Sequence, residues 1–157
     1  MVGLGGATFP SHVKLNPKED IHTCIFNGAE CEPLLMSDAA LMATQGEKLI
    51  KGCELVLKAV AAKEGIIAIE DDKQEAIEVM QILCHDISNL SVIEVPSIYP
   101  QGSTEMLFTV ITGKEAPADG STRDLGYLII NVATTVAVYE AIDPGVPLLS
   151  LIHISEP

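Results

Sequence analysis

Short continuous apolar runs alternate along this chain with longer stretches in which apolar residues return every three or four positions. Residues 22–27 (HTCIFN), 66–70 (IIAIE), 91–95 (SVIEV) and 127–132 (YLIINV) read as strands, apolar enough to be buried on both faces. Between them, residues 47–63 predict a helix, with Leu49, Ile50, Cys53, Val56, Leu57, Val60 and Ala61 on one stripe and Gly65 as its stop. Asp72 predicts the cap of a second helix, with Glu75 completing a capping-box pair and Ala76, Ile77, Met80, Leu83 and Cys84 on the buried side. Gly102 or Ser103 opens a third helix that runs through Thr112 to Gly113, and a fourth spans residues 133–142. Residues 113–126 form a Gly/Pro/Asp-rich loop. Strands and helices in alternation predict an α/β fold of three layers, a mostly parallel sheet with helices on both faces.

A length of 157 residues suits one domain with a substantial core. Twenty-two acids against nine Lys and Arg leave a net charge of −13, which repels nucleic acid and anionic membrane surfaces. No apolar run approaches the ~18 residues of a membrane span, so direct membrane insertion is not expected. Cys24, Cys31, Cys53 and Cys84 are widely spaced, with neither a CxxC pair nor an iron–sulfur pattern, and suit a reducing compartment. His12, His22, His85 and His153 are scattered, so no metal site is expected.

The chemistry gathers at the turns. The run Gly3-Leu4-Gly5-Gly6-Ala7-Thr8-Phe9-Pro10 carries backbone N–H groups that can approach an anion, with Lys14 close behind as a counter-charge. It is not a dinucleotide fingerprint, because Thr8 stands where the third glycine belongs and no strand precedes it. Read alone, it is equally a flexible turn, and Lys14 a solvated lysine. Asn27-Gly28-Ala29-Glu30-Cys31-Glu32-Pro33 follows the first strand, where open α/β sheets bind ligands. Its amide and carboxylates suit the hydroxyls and ring edges of a ligand, or simply a solvated loop. Tyr99-Pro100-Gln101-Gly102 and Asn131-Val132-Ala133-Thr134 each lead a strand into a helix, as an anion site or as an ordinary cap.

These four runs, in this order and spacing, resemble the C subunit of the Rnf electron-transport complex (RnfC, also called RsxC). More distantly they are similar to the flavin- and NADH-binding subunit of respiratory complex I. The likeness runs from about Gly3 to Leu148. It implies a Rossmann-type domain that binds FMN and exchanges electrons with NAD(H). Gly3, Gly5, Gly6 and Lys14 match the glycine loop that holds the flavin mononucleotide, and Phe9 an aromatic near the nicotinamide nucleotide. Asn27, Glu30 and Glu32 match the cluster beside the flavin, with Glu32 a candidate contact to NAD(H). Gly102 matches the glycine before the third helix, and Asn131 and Thr134 the turn near the flavin phosphate. No side chain is expected to act as a catalytic acid or base.

The resemblance further implies a subunit peripheral to the cytoplasmic face of the membrane. It would pass electrons between NAD(H) and iron–sulfur centres in company with the other Rnf subunits, and reach ferredoxin indirectly. Full-length relatives carry an additional N-terminal region and two ferredoxin-type cysteine clusters that this sequence lacks, so residues 1–148 read as a fragment of a longer subunit and any 4Fe-4S clusters belong to the remainder. Thr104 and Glu105 stand where relatives carry an acid and then a lysine, and Ala40 replaces a common basic residue. Residues 149–157 leave the family pattern and look like translated adapter sequence. The alternative function is an adaptor that feeds electrons to a partner reductase, as in proline-reductase-associated relatives, without using NAD(H).

Overall fold

The computed structural model describes residues 15–30, 37–97, 103–115 and 120–142. The elements are β1 (Thr23–Asn27), α1 (Ser37–Val60), β2 (Glu64–Glu70), α2 (Gln74–Cys84), β3 (Leu90–Val95), α3 (Thr104–Thr112), β4 (Tyr127–Asn131) and α4 (Val132–Ile142). A single 3₁₀ turn, Thr122–Leu125, interrupts the loop before β4.

The four strands are parallel and lie in the order β3-β2-β1-β4. Their alternating residues feed two cores, as the continuous apolar runs predict. Cys24, Phe26, Ile67, Ile69, Leu128 and Ile130 pack with α1, α2 and α4 on one face. Ile25, Ala68, Val95 and Ile129 pack with Leu107 and Phe108 of α3 on the other. The three-layer arrangement expected from the alternation is therefore present.

Helix α1 begins ten residues before the predicted start at 47. Its stripe is broken at Gln45, whose φ of −126° kinks the helix, and the following Gly46 lies against Leu83 of α2. The helix ends at Val60, before Ala61 in the left-handed region (φ 55°), and not at Gly65. Gly65 instead pairs inside the sheet with Cys24 and Leu90, where a β-carbon would meet Leu90 Cδ2 at 2.5 Å and Phe26 Cε2 at 2.8 Å. It is a packing glycine, not a helix stop.

The predicted Asp72 cap is also not formed. Lys73 occupies the N-cap of α2 with no side-chain cap, and the Asp72 carboxylate pairs with Lys73 Nζ at 2.8 Å. The expectations for α3 hold: Ser103 Oγ accepts from Met106 N at 3.2 Å, and Gly113 closes the helix at φ 69°.

Helices α1 and α4 touch backbone to backbone at Gly52, where a β-carbon would overlap the Thr135 carbonyl. Lys48 pairs with Glu140 at 2.6 Å on the same seam, and the Lys51 ammonium lies 5.4 Å from the Tyr139 ring centre. Gly52→Ala is expected to cost about 1–3 kcal/mol by forcing the helices apart, despite alanine's better helix propensity. A urea midpoint that rises would show that the seam has room.

Candidate functional site

The chain order of the strands creates the site. From β1 the fold proceeds to β2 and β3 on one side, then crosses to place β4 on the other side of β1. The direction reverses between β1 and β4, and in open α/β sheets ligands bind in the crevice at the carboxyl ends flanking such a reversal. Here those ends are Asn27 and Asn131, which are register partners on adjacent strands.

Asn27 is buried, and its Oδ1 accepts from Ala29 N at 2.9 Å, turning the chain sharply after β1. Gly28 N donates to Ala68 O at 2.9 Å, while Gly28 itself packs so tightly on Met42 that a β-carbon would meet its Cε at 2.7 Å. This brings Glu30 under the start of α1, where Glu30 Oε1 accepts from the Asp38 backbone N–H at 2.6 Å. A carboxylate is favoured there by the helix dipole.

Asn131 caps α4. Its Oδ1 accepts from Ala133 N at 2.9 Å and Thr134 N at 3.2 Å. Its Nδ2 donates to Asp38 Oδ2 at 2.6 Å. Thr134 is buried in the first turn of α4. The capping alternative for Asn131 is thus realised, and those two amides are turned inward.

Asp38 and Glu70 are carboxylates that the sequence pattern does not single out. Burial raises the Asp38 pKa, the Asn131 hydrogen bond opposes that shift, and the nearby Glu30 charge adds to it. Burial likewise raises that of Glu70, against the Glu30 backbone N–H and the Lys73 ammonium, whose Nζ lies 4.0 Å from Oε2.

Both groups hold protons more tightly folded than unfolded. Their contribution to stability is therefore present below the ordinary values of 3.8 and 4.5 and is lost as pH rises through the higher folded values. The melting temperature is expected to be higher near pH 4, close to the ordinary carboxylate values, than near pH 7.5. Asp38→Asn with Glu70→Gln should flatten that difference; an undiminished difference would assign it to overall charge repulsion instead.

Asn27, Glu30, Asn131 and Thr134 are thus brought to one edge of the sheet, three of them in a network of hydrogen bonds around the β1–β4 boundary. The expected site residues Gly3, Gly5, Gly6, Phe9, Lys14, Glu32 and Gly102 lie outside the described residues, as do Cys31 and the 149–157 tail. Cys24, Cys53 and Cys84 are free and buried, and burial pushes the Cys24 thiol up to about 12 and the Cys84 thiol to about 11. Such thiols are poor nucleophiles. His22 bonds Thr23 Oγ1 at 2.7 Å and Leu125 O at 3.1 Å, a structural role at the opposite end of β1. Among the described residues, no three His, Cys, Asp or Glu side chains converge as a metal site, and no helix is long and apolar enough to cross a membrane.

The chemistry of this wall is selective. Carboxylate and amide oxygens accept hydrogen bonds from hydroxyl and ring N–H groups, and they repel phosphate.

The Nuo51 FMN-binding domain family matches residues 1–140. The chain is 40% identical over 151 residues to the C subunit of the proton-translocating ferredoxin:NAD(+) oxidoreductase complex of Clostridium ljungdahlii, covering 95% of this chain and 33% of that protein. It is 41% identical over 150 residues to the C subunit of the Na(+)-translocating ferredoxin:NAD(+) oxidoreductase complex of Acetobacterium woodii, covering 94% of this chain and 34% of that one. With the C subunit of the ion-translocating oxidoreductase complex of Rhodobacter capsulatus the identity is 43% over 153 residues, 96% of this chain and 30% of that one. The chain thus spans about a third of the length of these curated relatives. An NAD+-reducing [NiFe]-hydrogenase superposes with a TM-score of 0.76 at 24% identity, over 89% of this chain and 28% of that one, so the two share a fold. The chain belongs to the Nuo51 FMN-binding domain family and resembles, within it, the C subunits of ion-translocating ferredoxin:NAD(+) oxidoreductase complexes.

Proposed function

We propose that the chain is the FMN-binding electron-transfer domain of the C subunit of an Rnf-type complex, working between NAD(H) and iron–sulfur centres carried by the rest of the subunit. The observation that carries this reading is the pairing of Asn27 and Asn131 at the strand reversal, ringed by Glu30 and Asp38, in a chain of an FMN-binding family. Bound FMN would supply the redox chemistry, accepting or giving two electrons at the nicotinamide and single electrons elsewhere.

The protein's part is placement and electrostatics. Glu30, held at the α1 start, would present its carboxylate to the ring and ribityl side, where Asn131, its amide committed to the α4 cap and to Asp38, would shape the crevice wall. The acidic wall would disfavour added negative charge on a bound ring and so would lower its reduction potential. Gly3, Gly5, Gly6 and Lys14 would take the phosphate, Phe9 and Glu32 the nicotinamide nucleotide. Gly102 would let the chain approach the ligand closely. As part of such a complex, the domain would sit peripherally on the cytoplasmic side with the other subunits, exchanging electrons with ferredoxin only indirectly.

Lys14→Ala is expected to weaken FMN binding by about 1–3 kcal/mol, the size of a charge-assisted hydrogen bond, and to leave riboflavin binding unchanged. An equal loss for both ligands would remove Lys14 from the phosphate. Anaerobic addition of NADH to the FMN-loaded protein tests the reaction itself. Bleaching of the flavin band supports exchange with NAD(H); a band that persists with NADH but bleaches with a reduced partner protein would favour the adaptor reading.

A further inference from the structure

Asp38 joins two parts of the crevice wall that arrive from distant points of the chain. Its backbone N–H reaches Glu30 and its side chain reaches Asn131, each at 2.6 Å. Asn131 is thereby fixed at both ends of its amide, since Oδ1 is committed to Ala133 and Thr134 while Nδ2 is committed to Asp38. Removal of the Asp38 carboxylate leaves the cap intact and frees only the Nδ2 edge. Resting on the FMN reading above, we propose that Asp38 is a positioning residue of the flavin crevice, tying the β4–α4 turn to the β1 loop so that Asn131 and Glu30 keep one spacing around the bound ring.

Two observations favour placement over a stabilising role. The carboxylate is half-buried beside another acid, Glu30, whose charge acts against its ionisation. A charge kept in such a setting is a poor source of stability. The Asn131–Asp38 link spans 93 residues of sequence and crosses the strand reversal, where a ligand would be enclosed.

The test is fluorescence titration of the chain with FMN and, separately, riboflavin, alongside thermal melting of the flavin-free protein. Asp38→Ala is expected to weaken both ligands about tenfold, because the ring side and not the phosphate is affected. Asp38→Asn keeps an oxygen that Asn131 Nδ2 can reach and should stay within about twofold of the unsubstituted chain. Asp38→Ser, which suits a helix start but is too short to reach, is the second truncation and should behave like Asp38→Ala.

Unchanged affinity in the folded truncations overturns the proposal. So does Asp38→Asn binding several-fold tighter, which would mean that the residue acts by its charge. Loss of the folded state in both truncations would assign Asp38 to stability and overturn it as well. An unsubstituted chain that binds no FMN overturns the underlying reading, whereas normal binding by that chain with normal binding by Asp38→Ala overturns this inference alone.

Discussion

Phe26→Ala is expected to lower the unfolding free energy by about 3–5 kcal/mol, read as a drop in the urea midpoint at constant slope. Phe26 is fully buried on the central strand β1, facing the larger core, and its ring edge fills the space that Gly65 leaves open on β2. A domain of this size has a total stability of about 5–15 kcal/mol, so the substitution removes a fifth or more of it. The functional consequence follows from position. Phe26 anchors the strand one residue before Asn27, and the turn that delivers Glu30 starts there. A loss below about 1 kcal/mol would mean that the α1 side of the sheet repacks freely, and that β1 does not hold the crevice rigid.

Asn131→Ala is the second large effect, expected to cost about 2–4 kcal/mol, the sum of two losses. Loss of the α4 cap contributes about 1 kcal/mol. The Asp38 carboxylate, half-buried and stripped of its donor, contributes about 1–3 kcal/mol more. The missing hydrogen bond was holding the Asp38 pKa down, so its proton affinity rises further and the variant should recover part of its stability in mild acid. Asp38 and Asn131 share one interaction, so the cost of Asp38→Ala combined with Asn131→Ala should fall short of the sum of the single costs. Strict additivity in urea denaturation would contradict the contact.

The strands are legible in the sequence because each is a short apolar-rich run bounded by turn residues; β1 is buried at every position, and even the edge strand β3, which exposes Ser91 and Glu94, keeps enough apolar residues to be read. Asn27 and Asn131 can be placed at strand ends for the same reason. Their register pairing cannot, because β4 crosses the whole sheet to reach β1, and no local pattern records which strand becomes its neighbour.

The first half of α1 escapes the periodicity where its stripe fails. Gln45 and Gly46 occupy positions that an unbroken stripe would fill with apolar residues, and there the helix kinks and receives Leu83. With that half unread, nothing in the sequence marks Asp38 as a helix-start residue facing the crevice. Gly65 and Asp72 mislead for a common reason: local rules give each a capping role, and tertiary contacts give Gly65 to the sheet and Asp72 to Lys73. The family likeness, in contrast, is legible from four short runs, because turn residues that serve a ligand are fixed by chemistry and not by interchangeable packing.

The central claim, that the turns at the β1–β4 reversal form one side of a flavin site, is tested most directly by titrating the purified chain with FMN and following the quenching of flavin fluorescence. The account predicts saturation near one FMN per chain, with Asn131→Ala markedly weaker. Fluorescence that rises linearly with added FMN, as it does in buffer, would contradict it.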